Sequence, residues 1–278
     1  MTPGITRRAA LGALLLSALA PSLARAAPRA EPWPHWRASD ESSTQTIDHS
    51  AWDAFLAHYL VSDSADGISR VAYRRVLPEH REALSLYIAS LGGLPITFYR
   101  RAEQLPYWIN LYNALTVRTV LEHYPVDSIL DIGPKRGSGP WRRKLIHIEG
   151  EEVSLDDIEH RILRPFWRDP RLHYALCLAA LGSPDLAPRA FKAATTEAML
   201  EAAARAYVNS ARGARLERDR LFVSSIYVWY KADFGGSDRD VIQHLKRYAK
   251  PKLAEALAHE SHIAGDSFDW SLNDAKLL

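Results

Sequence analysis

The chain has 278 residues, of which 47% are hydrophobic and 24% are charged, and its formal net charge is +2 at pH 7. This length and composition are sufficient for one large domain with a full hydrophobic core. The charge balance lacks the basic excess typical of nucleic-acid-binding proteins, so neither RNA nor DNA is expected as a partner. A single cysteine excludes an internal disulfide, and the sequence contains no CxxC pair, Gly-rich phosphate loop or GxSxG motif.

The first 26 residues predict a twin-arginine-type signal peptide. Arg7 and Arg8 precede a moderately apolar stretch over 9–23, and Ala24-Arg25-Ala26 offers a small-x-small cleavage site. A membrane anchor is the weaker alternative, because the apolar stretch is too short to span a bilayer. We therefore expect a periplasmic protein whose mature chain has no transmembrane segment. Cleavage would leave 32 basic and 33 acidic residues, a net charge of −1.

Residues 27–46 are proline-rich and then polar, which predicts a flexible or extended arm, and residues 47–278 are expected to form a single domain. Asp48 is positioned to cap a helix that runs through Val61. A second helix is expected from Pro78 to Gly92. The longest helix is expected over 103–123, where apolar residues on nearly every side indicate burial.

Two amides lie on one edge of the 103–123 helix. Asn110 and Asn113 are three residues apart, and a buried amide is unfavourable unless it is hydrogen-bonded. Fixed polar partners are therefore expected. Either the pair braces a neighbouring loop, or one amide reaches a ligand.

The chain after the 103–123 helix is predicted to contain a loop and two hairpins. Trp141 lies beside Gly and Pro residues, where a tryptophan lines a pocket or pins a loop. A first hairpin is expected to turn at Glu149-Gly150, and a second at Arg218-Asp219-Arg220. Many helices combined with short hairpins predict an α+β fold, a helix-rich single domain with short antiparallel strands.

The stretch 154–186 combines a helix start with an apolar run. Ser154 and Asp157 have the spacing of a capping box, and Pro165 is expected to end the helix. Within that helix, Glu159 and His160, with Asp156 behind His160, form either a base with its orienting carboxylate or a solvated helix face. The apolar run 172–181 predicts a strand, because Pro170 and Gly182-Ser183-Pro184 bracket it.

The order of motifs resembles the bacterial domain of unknown function 547 family. The matching pieces cover roughly residues 50 to 275 and are YWINLYNALTV (107–117), GEEVSLDDIEHRILR (150–164), RLHYALCLAALGSPDL (171–186), LFVSSIYVWYKADFG (221–235) and DWSLN (269–273). The family pattern around the third piece is similar to RIHFALNCASxGCPxL. Cys177 stands in its Asn position, Ala180 in its Ser position, and Leu178 and Ser183 in its two Cys positions. The resemblance implies an exported α+β protein, and its cysteine chemistry is not carried over to this chain.

Several residues are candidates for chemistry. His173, in the RIHF-like motif, is either a general base or a hydrogen-bonded structural residue. Ser183 is either a turn cap or a nucleophile in the position of a family cysteine. On an extended strand His173 and Cys177 would lie about 13 Å apart, so Cys177 is expected to be an inert core residue. A metal site built from His160, His173 and Glu159 is a weaker alternative, because no ligand spacing enforces it.

Two classes of function follow. The first is a non-catalytic periplasmic domain that binds a small molecule or an envelope protein in a polar cleft, with Asn110, Asn113, Arg171 and Trp141 as ligand-binding residues. The second is an envelope hydrolase, with His173, His160, Glu159 and Ser183 as catalytic residues. The binding domain is favoured, because the family's cysteine positions are replaced. No cofactor is expected. For both classes, most of the polar groups are expected to converge on one pocket.

Overall fold

The computed structural model describes residues 27–275, so the expected signal peptide lies outside the described residues. Helices make up nearly half of this region, in agreement with a helix-rich α+β fold. The α-helices are α1 (Ser50–Tyr59), α2 (Pro78–Gly92), α3 (Arg101–His123), α4 (Arg164–Trp167), α5 (Thr196–Val208), α6 (Ile226–Trp229), α7 (Asp238–Tyr248) and α8 (Pro251–Ala258). A π-helix, Asp157–Leu163, leads directly into α4. Short 3-10 helices lie at Pro34–Arg37, Tyr73–Arg75, Ile96–Phe98, Ile129–Ile132, Pro170–Tyr174 and Lys231–Phe234.

The strands are short and form three small sheets. They are β1 (Leu60–Val61), β2 (Arg70–Val71), β3 (Lys144–Ile148), β4 (Glu151–Ser154), β5 (Ala214–Glu217), β6 (Arg220–Ser224) and β7 (Gly265–Ser267). The pairs β1–β2, β3–β4 and β5–β6 are antiparallel, whereas β7 adds to β6 in parallel. Both expected hairpins are present. Glu149 and Gly150 have positive φ, as do Arg218 and Asp219, and two such residues match the twist of a two-residue turn.

The core has two hydrophobic clusters. The larger one surrounds α3, whose residues from Pro106 to Val117 are all buried, together with α1, α2 and the π-helix. The smaller cluster lies between α5, β6, α6 and α7. The aromatic ring of Phe268 packs against both clusters. The two clusters therefore meet within one domain.

The helix at the centre of the chain starts where the sequence predicts. The amide N–H and the hydroxyl of Ser154 both donate to Asp157 Oδ2, at 2.9 and 2.6 Å, and Ser154 Oγ accepts from the Asp157 N–H at 3.2 Å. Pro165, however, does not end the helix. It lies in the first turn of α4, and the chain turns only at Arg168, which has a φ of 52°. A proline fits this position because its fixed φ suits a first helical turn.

The strand expected over 172–181 is a wrong prediction. The chain there forms the 3-10 helix Pro170–Tyr174 and then an irregular buried segment. Its backbone groups find partners outside any ladder. Cys177 N–H donates to Asn113 Oδ1, Leu178 N–H donates to Ser183 Oγ, and Ala180 makes an isolated bridge with Leu272. An apolar run therefore stays irregular when side chains and a distant segment satisfy its backbone.

The arm over 27–46 lies against the domain. Trp36, at its centre, is 1% exposed, and its ring contacts Trp108 edge-on at 5.1 Å between centroids. Gln104 Nε2 donates to the carbonyl of Ala38, which fixes the same part of the arm to α3. The N-terminal end of the arm continues over the π-helix.

Candidate functional site

His173 lies at the seam between the two hydrophobic clusters. In the 3-10 helix Pro170–Tyr174, Leu172 packs into the larger cluster and Tyr174 into the smaller one. The intervening imidazole is buried, and it stacks on the ring of Tyr230 with centroids 4.0 Å apart. The tight turn of a 3-10 helix therefore directs three successive side chains into three different environments.

Asp233 joins His173 to Arg164. Its Oδ2 lies 2.8 Å from His173 Nε2 and accepts from Arg164 Nε at 2.6 Å, while Oδ1 accepts from Arg164 Nη2 at 3.0 Å. The Arg164–Asp233 contact is thus bidentate, the geometry in which charge-assisted hydrogen bonds are strongest. Burial by itself raises the pKa of Asp233, but these hydrogen bonds outweigh it and hold that pKa well below the usual carboxyl range.

Arg164 also fixes the tautomer of His160. Its Nη1 lies 3.1 Å from His160 Nδ1, and a guanidinium has no acceptor, so Nδ1 accepts and the ring proton is on Nε2. Burial lowers the pKa of His160, which keeps the ring neutral. The Nε2–H is directed towards Asp156, at 3.6 Å from Oδ1. His160 therefore presents a hydrogen-bond donor on this side.

Glu159 lies on the side of His173 that faces away from Asp233, near the second ring nitrogen. Its Oε2 accepts from the Tyr112 hydroxyl at 3.3 Å, and its Oε1 lies 3.8 Å from His173 Nδ1. The charge of Glu159 also acts on the hydroxyl of Tyr230. Burial, followed by the charge of Glu159, raises the pKa values of both tyrosines well above 10. The two hydroxyls therefore stay protonated and available as donors.

Trp141 reaches the edge of this network. The Trp141 carbonyl accepts from the Asp156 N–H at 2.9 Å. Its ring also contacts Trp270, with centroids 5.7 Å apart. The tryptophan therefore holds its loop against the network from the outside.

Two cavities flank the network, one on each side of the arm. The first, of about 340 Å³, is lined by Pro28, Arg29, Glu31, Arg142, Lys144, Ser154, Asp156, Asp157, His160 and Arg161. The second, of about 400 Å³, is lined by Ala30, Pro32, Arg37, Arg164, Pro165, Phe166, Arg168, Asp169, Ala232 and Asp233. His160 opens into the first cavity, and the Arg164–Asp233 pair borders the second.

The structure brings together three of the residues that the sequence singled out as catalytic candidates. His160, His173 and Glu159 lie in one network, with Trp141 at its edge. Asn110 and Asn113, the expected ligand-binding amides, lie outside this network. Asn110 donates to the Phe191 carbonyl and accepts from the Phe191 N–H, at 2.8 and 2.9 Å, and Asn113 does the same with Ala175 and Cys177, at 2.9 Å each. The two amides therefore brace loops.

Arg171 and Ser183 also lie apart from the network. Arg171 pairs with Asp169 and with Glu197 on α5. Ser183 Oγ accepts from the Leu178 N–H at 2.9 Å and makes a hydrogen bond with Cys177, so its hydroxyl closes a buried turn. Burial raises the pKa of Cys177 to about 11, which keeps this thiol protonated.

Arg164, Asp233 and Tyr230 were missed as site residues by the sequence analysis. Asp233 lies sixty residues from His173, and no local spacing joins two residues that far apart. A signal existed, because both Tyr230 and Asp233 fall within the fourth motif, LFVSSIYVWYKADFG. Arg164 is the last residue of the second motif, and it aligns with His160 at i,i+4 on one helical face.

Comparison with known families identifies the segment that carries this network. Residues 96–208 match the model described as Protein of unknown function, DUF547. This segment belongs to the DUF547 family. The DUF547 match includes Glu159, His160, Arg164 and His173, whereas Tyr230 and Asp233 follow it. Comparisons with curated proteins and with solved structures found no match.

Each nitrogen of His173 lies near a carboxylate. Nε2 is 2.8 Å from Asp233 Oδ2, and Nδ1 is 3.8 Å from Glu159 Oε1. Within residues 27–275, no three His, Cys, Asp or Glu side chains are arranged to hold a metal ion. In the same region, no helix is both long and apolar enough to cross a membrane.

Proposed function

We propose that this chain is an exported periplasmic domain that binds a small polar ligand in the cavity beside His160. The observation that carries the proposal is that His160, whose ring proton Arg164 holds on Nε2, lines that cavity. A donor held in one tautomer by Arg164 is preorganised, and preorganised polar groups give a pocket its specificity. The support for export is the pattern of residues 1–26.

The charges around the cavity favour a ligand with an acidic group. Basic side chains line it at Arg29, Arg142, Lys144 and Arg161, and acidic ones at Glu31, Asp156 and Asp157. Asp157 already accepts from Lys144 at 2.6 Å and from Arg161 at 3.0 Å. Asp156 lies 3.5 Å from Arg142 Nε and 3.6 Å from His160 Nε2, so an incoming acid would compete with this carboxylate for both donors.

The hydrolase alternative gains no support from this geometry. Ser183, its proposed nucleophile, hydrogen-bonds to Leu178 and Cys177 in a buried turn. A serine nucleophile needs a base within hydrogen-bond reach. Both nitrogens of His173, the proposed base, face carboxylates.

Thermal melts with phosphate, succinate, glutamate and glucose test the binding proposal. At least one acid should raise the Tm of the wild type in proportion to its concentration. His160→Asn should abolish the rise, since Asn keeps an acceptor for Arg164 but is too short to place a donor at the Nε2 position. His147→Asn is the matched control, because that imidazole is 72% exposed and pairs with Glu152 at the surface. An equal rise in both variants, or none in the wild type, would contradict the proposal.

Export is tested separately by N-terminal sequencing of the periplasmic fraction. We expect the mature chain to begin near Ala27. A protein that retains Met1 would refute export. If replacing Arg7 and Arg8 together by Lys leaves export unchanged, only the twin-arginine route is refuted.

A further inference from the structure

The N-terminal end of the arm, residues 27–33, is attached to the domain through its backbone. Glu31 N–H donates to the His160 carbonyl at 3.0 Å, and Trp33 N–H donates to the Arg161 carbonyl at 2.9 Å. The Pro28 carbonyl accepts from Arg164 Nη1 at 2.6 Å. All three contacts use backbone atoms of the arm, so they do not depend on the identity of its side chains.

Pro165 explains why a helix offers a carbonyl to an outside chain. In the π-helix each N–H bonds to the carbonyl five residues earlier, as Arg164 does to Glu159. The next donor in that pattern would be residue 165, bonding to His160, but proline has no N–H. The His160 carbonyl therefore requires a donor from elsewhere, and Glu31 supplies it.

The sequence of the arm matches this arrangement. Only residues 31 and 33 donate to the helix, and Pro28, Pro32 and Pro34 have no N–H to satisfy. Proline also fixes φ near the extended, polyproline-like value, so less conformational entropy is lost when the segment binds. The segment that covers this surface is thus an extended one, with prolines between its backbone donors.

The N-terminal end of the arm buries less side-chain surface than its centre. The side chains of residues 28–32 are exposed, whereas Trp36 is buried. Trp33 is the one partly buried ring in this end, and the Arg161 guanidinium lies 4.2 Å from its centroid. A segment with few buried apolar contacts opens at low cost compared with the rest of a domain.

The same segment is the wall between the two cavities. Arg29 and Glu31 line the first cavity, and Ala30 and Pro32 line the second. When this end lifts from the helix, the two cavities share an open side along His160 and Arg164.

We infer that the surface along residues 160–164 is a groove for an extended proline-rich peptide, which the chain's own arm fills in cis. A partner segment of the same chemistry, with an aromatic residue at the position of Trp33, takes the place of the arm. This groove is distinct from the proposed small-ligand site, because the cavity beside His160 is lined in part by the docked arm. While the arm is docked, its high effective concentration opposes a peptide in trans.

The test uses the full chain and a labelled peptide of residues 28–36, PRAEPWPHW. Glu31→Pro removes the backbone donor to His160, and Glu31→Ala is the matched control that keeps it. In Glu31→Pro, hydrogen exchange over 27–36 should accelerate, and the peptide should bind at least tenfold more tightly than to the wild type. Glu31→Ala should match the wild type in both measurements. A peptide carrying Ala at the Trp33 position should bind Glu31→Pro at least tenfold more weakly.

Each other outcome counts against the groove. Unchanged exchange in Glu31→Pro would show that this N–H does not hold the arm. A released arm without peptide binding would show that the surface does not accept a peptide in trans. The acid-dependent rise in Tm is measured on the wild type, whose arm is docked, so it tests the small-ligand site independently. A wild type that responds to acids together with a released arm that binds no peptide would refute the groove alone.

Discussion

Arg164 and Asp233 form a two-point ion pair across sixty-nine residues of sequence, with N–O distances of 2.6 and 3.0 Å. The pair ties α4, in the larger hydrophobic cluster, to the 3-10 helix Lys231–Phe234 beside the smaller one. Asp233 also binds His173 at the seam. One carboxylate thus links both halves of the core to the candidate site.

Removing that carboxylate should strongly destabilise the fold. We expect Asp233→Asn to lower the free energy of unfolding by about 3 kcal/mol, because a buried arginine is left without its counter-charge. The measurement is urea unfolding at pH 7. Glu197→Gln is the control, since this partner of Arg171 is 79% exposed and its loss should cost below about 1 kcal/mol. Equal losses would show that the Arg164 pair carries no special stability.

Asp233 also predicts a response to acid. Its pKa is lowered in the folded protein, so its stabilising contribution is present above the ordinary carboxyl pKa and is lost as the pH falls through the lower folded value. Asp233→Asn should therefore lose less stability than the wild type on acidification below about pH 4. Parallel urea titrations from pH 5 to pH 2 measure this difference.

Two buried histidines should make the protein less stable between pH 6.5 and 4. Burial lowers the pKa values of His49 and His244 to about 4. In this interval the unfolded chain binds protons that the folded chain does not, so stability is full above pH 6.5 and falls as the pH decreases. The loss should amount to a few kcal/mol by the linkage relation.

Substitutions can assign that loss to the two rings. His49 Nδ1 lies 2.7 Å from the Tyr87 hydroxyl, and His244 Nε2 lies 2.8 Å from that of Tyr174. His49→Asn and His244→Gln each keep a polar group near that position without titrating. Each variant should flatten the dependence of the urea midpoint on pH. A slope identical to that of the wild type in both would refute the assignment.

The Ser154 cap should contribute about 1 kcal/mol to stability. Ser154→Ala removes the hydroxyl that bonds to both the N–H and the carboxylate of Asp157, yet it should not prevent folding. Ser85→Ala, on the exposed side of α2, should change stability by less than about 0.5 kcal/mol. A denaturant comparison in which Ser154→Ala equals the wild type would contradict the cap.

Cys177 should be unreactive in the folded protein. The thiol is buried and its raised pKa leaves almost no thiolate at pH 8, although the thiolate is the reactive form. We expect a thiol reagent to label native protein at least about 100-fold more slowly than protein in 8 M urea. Rapid native labelling would show that the segment around Cys177 opens readily.

Local interactions explain what could be predicted from sequence. The boundaries of α2, the capping box at Ser154 and both hairpin turns depend on residues within a few positions of each other. The apolar residues on nearly every side of α3 likewise indicated its burial, because a helix without a polar face is stable only inside a core. The sequence by itself therefore determined the α+β class, the hairpin turns and the bounds of α2.

Contacts between distant segments decided the rest. Nothing near residues 172–181 indicates that Asn113 and the C-terminal segment satisfy their backbone in place of a strand. Nor does any spacing show that Asp233 meets His173, or that Glu31 donates to the carbonyl that Pro165 leaves open. Hydrogen bonds of this kind form only after the core has brought the segments together. The sequence could therefore single out Glu159, His160 and His173, but only the tertiary structure determined which partners join them in the site.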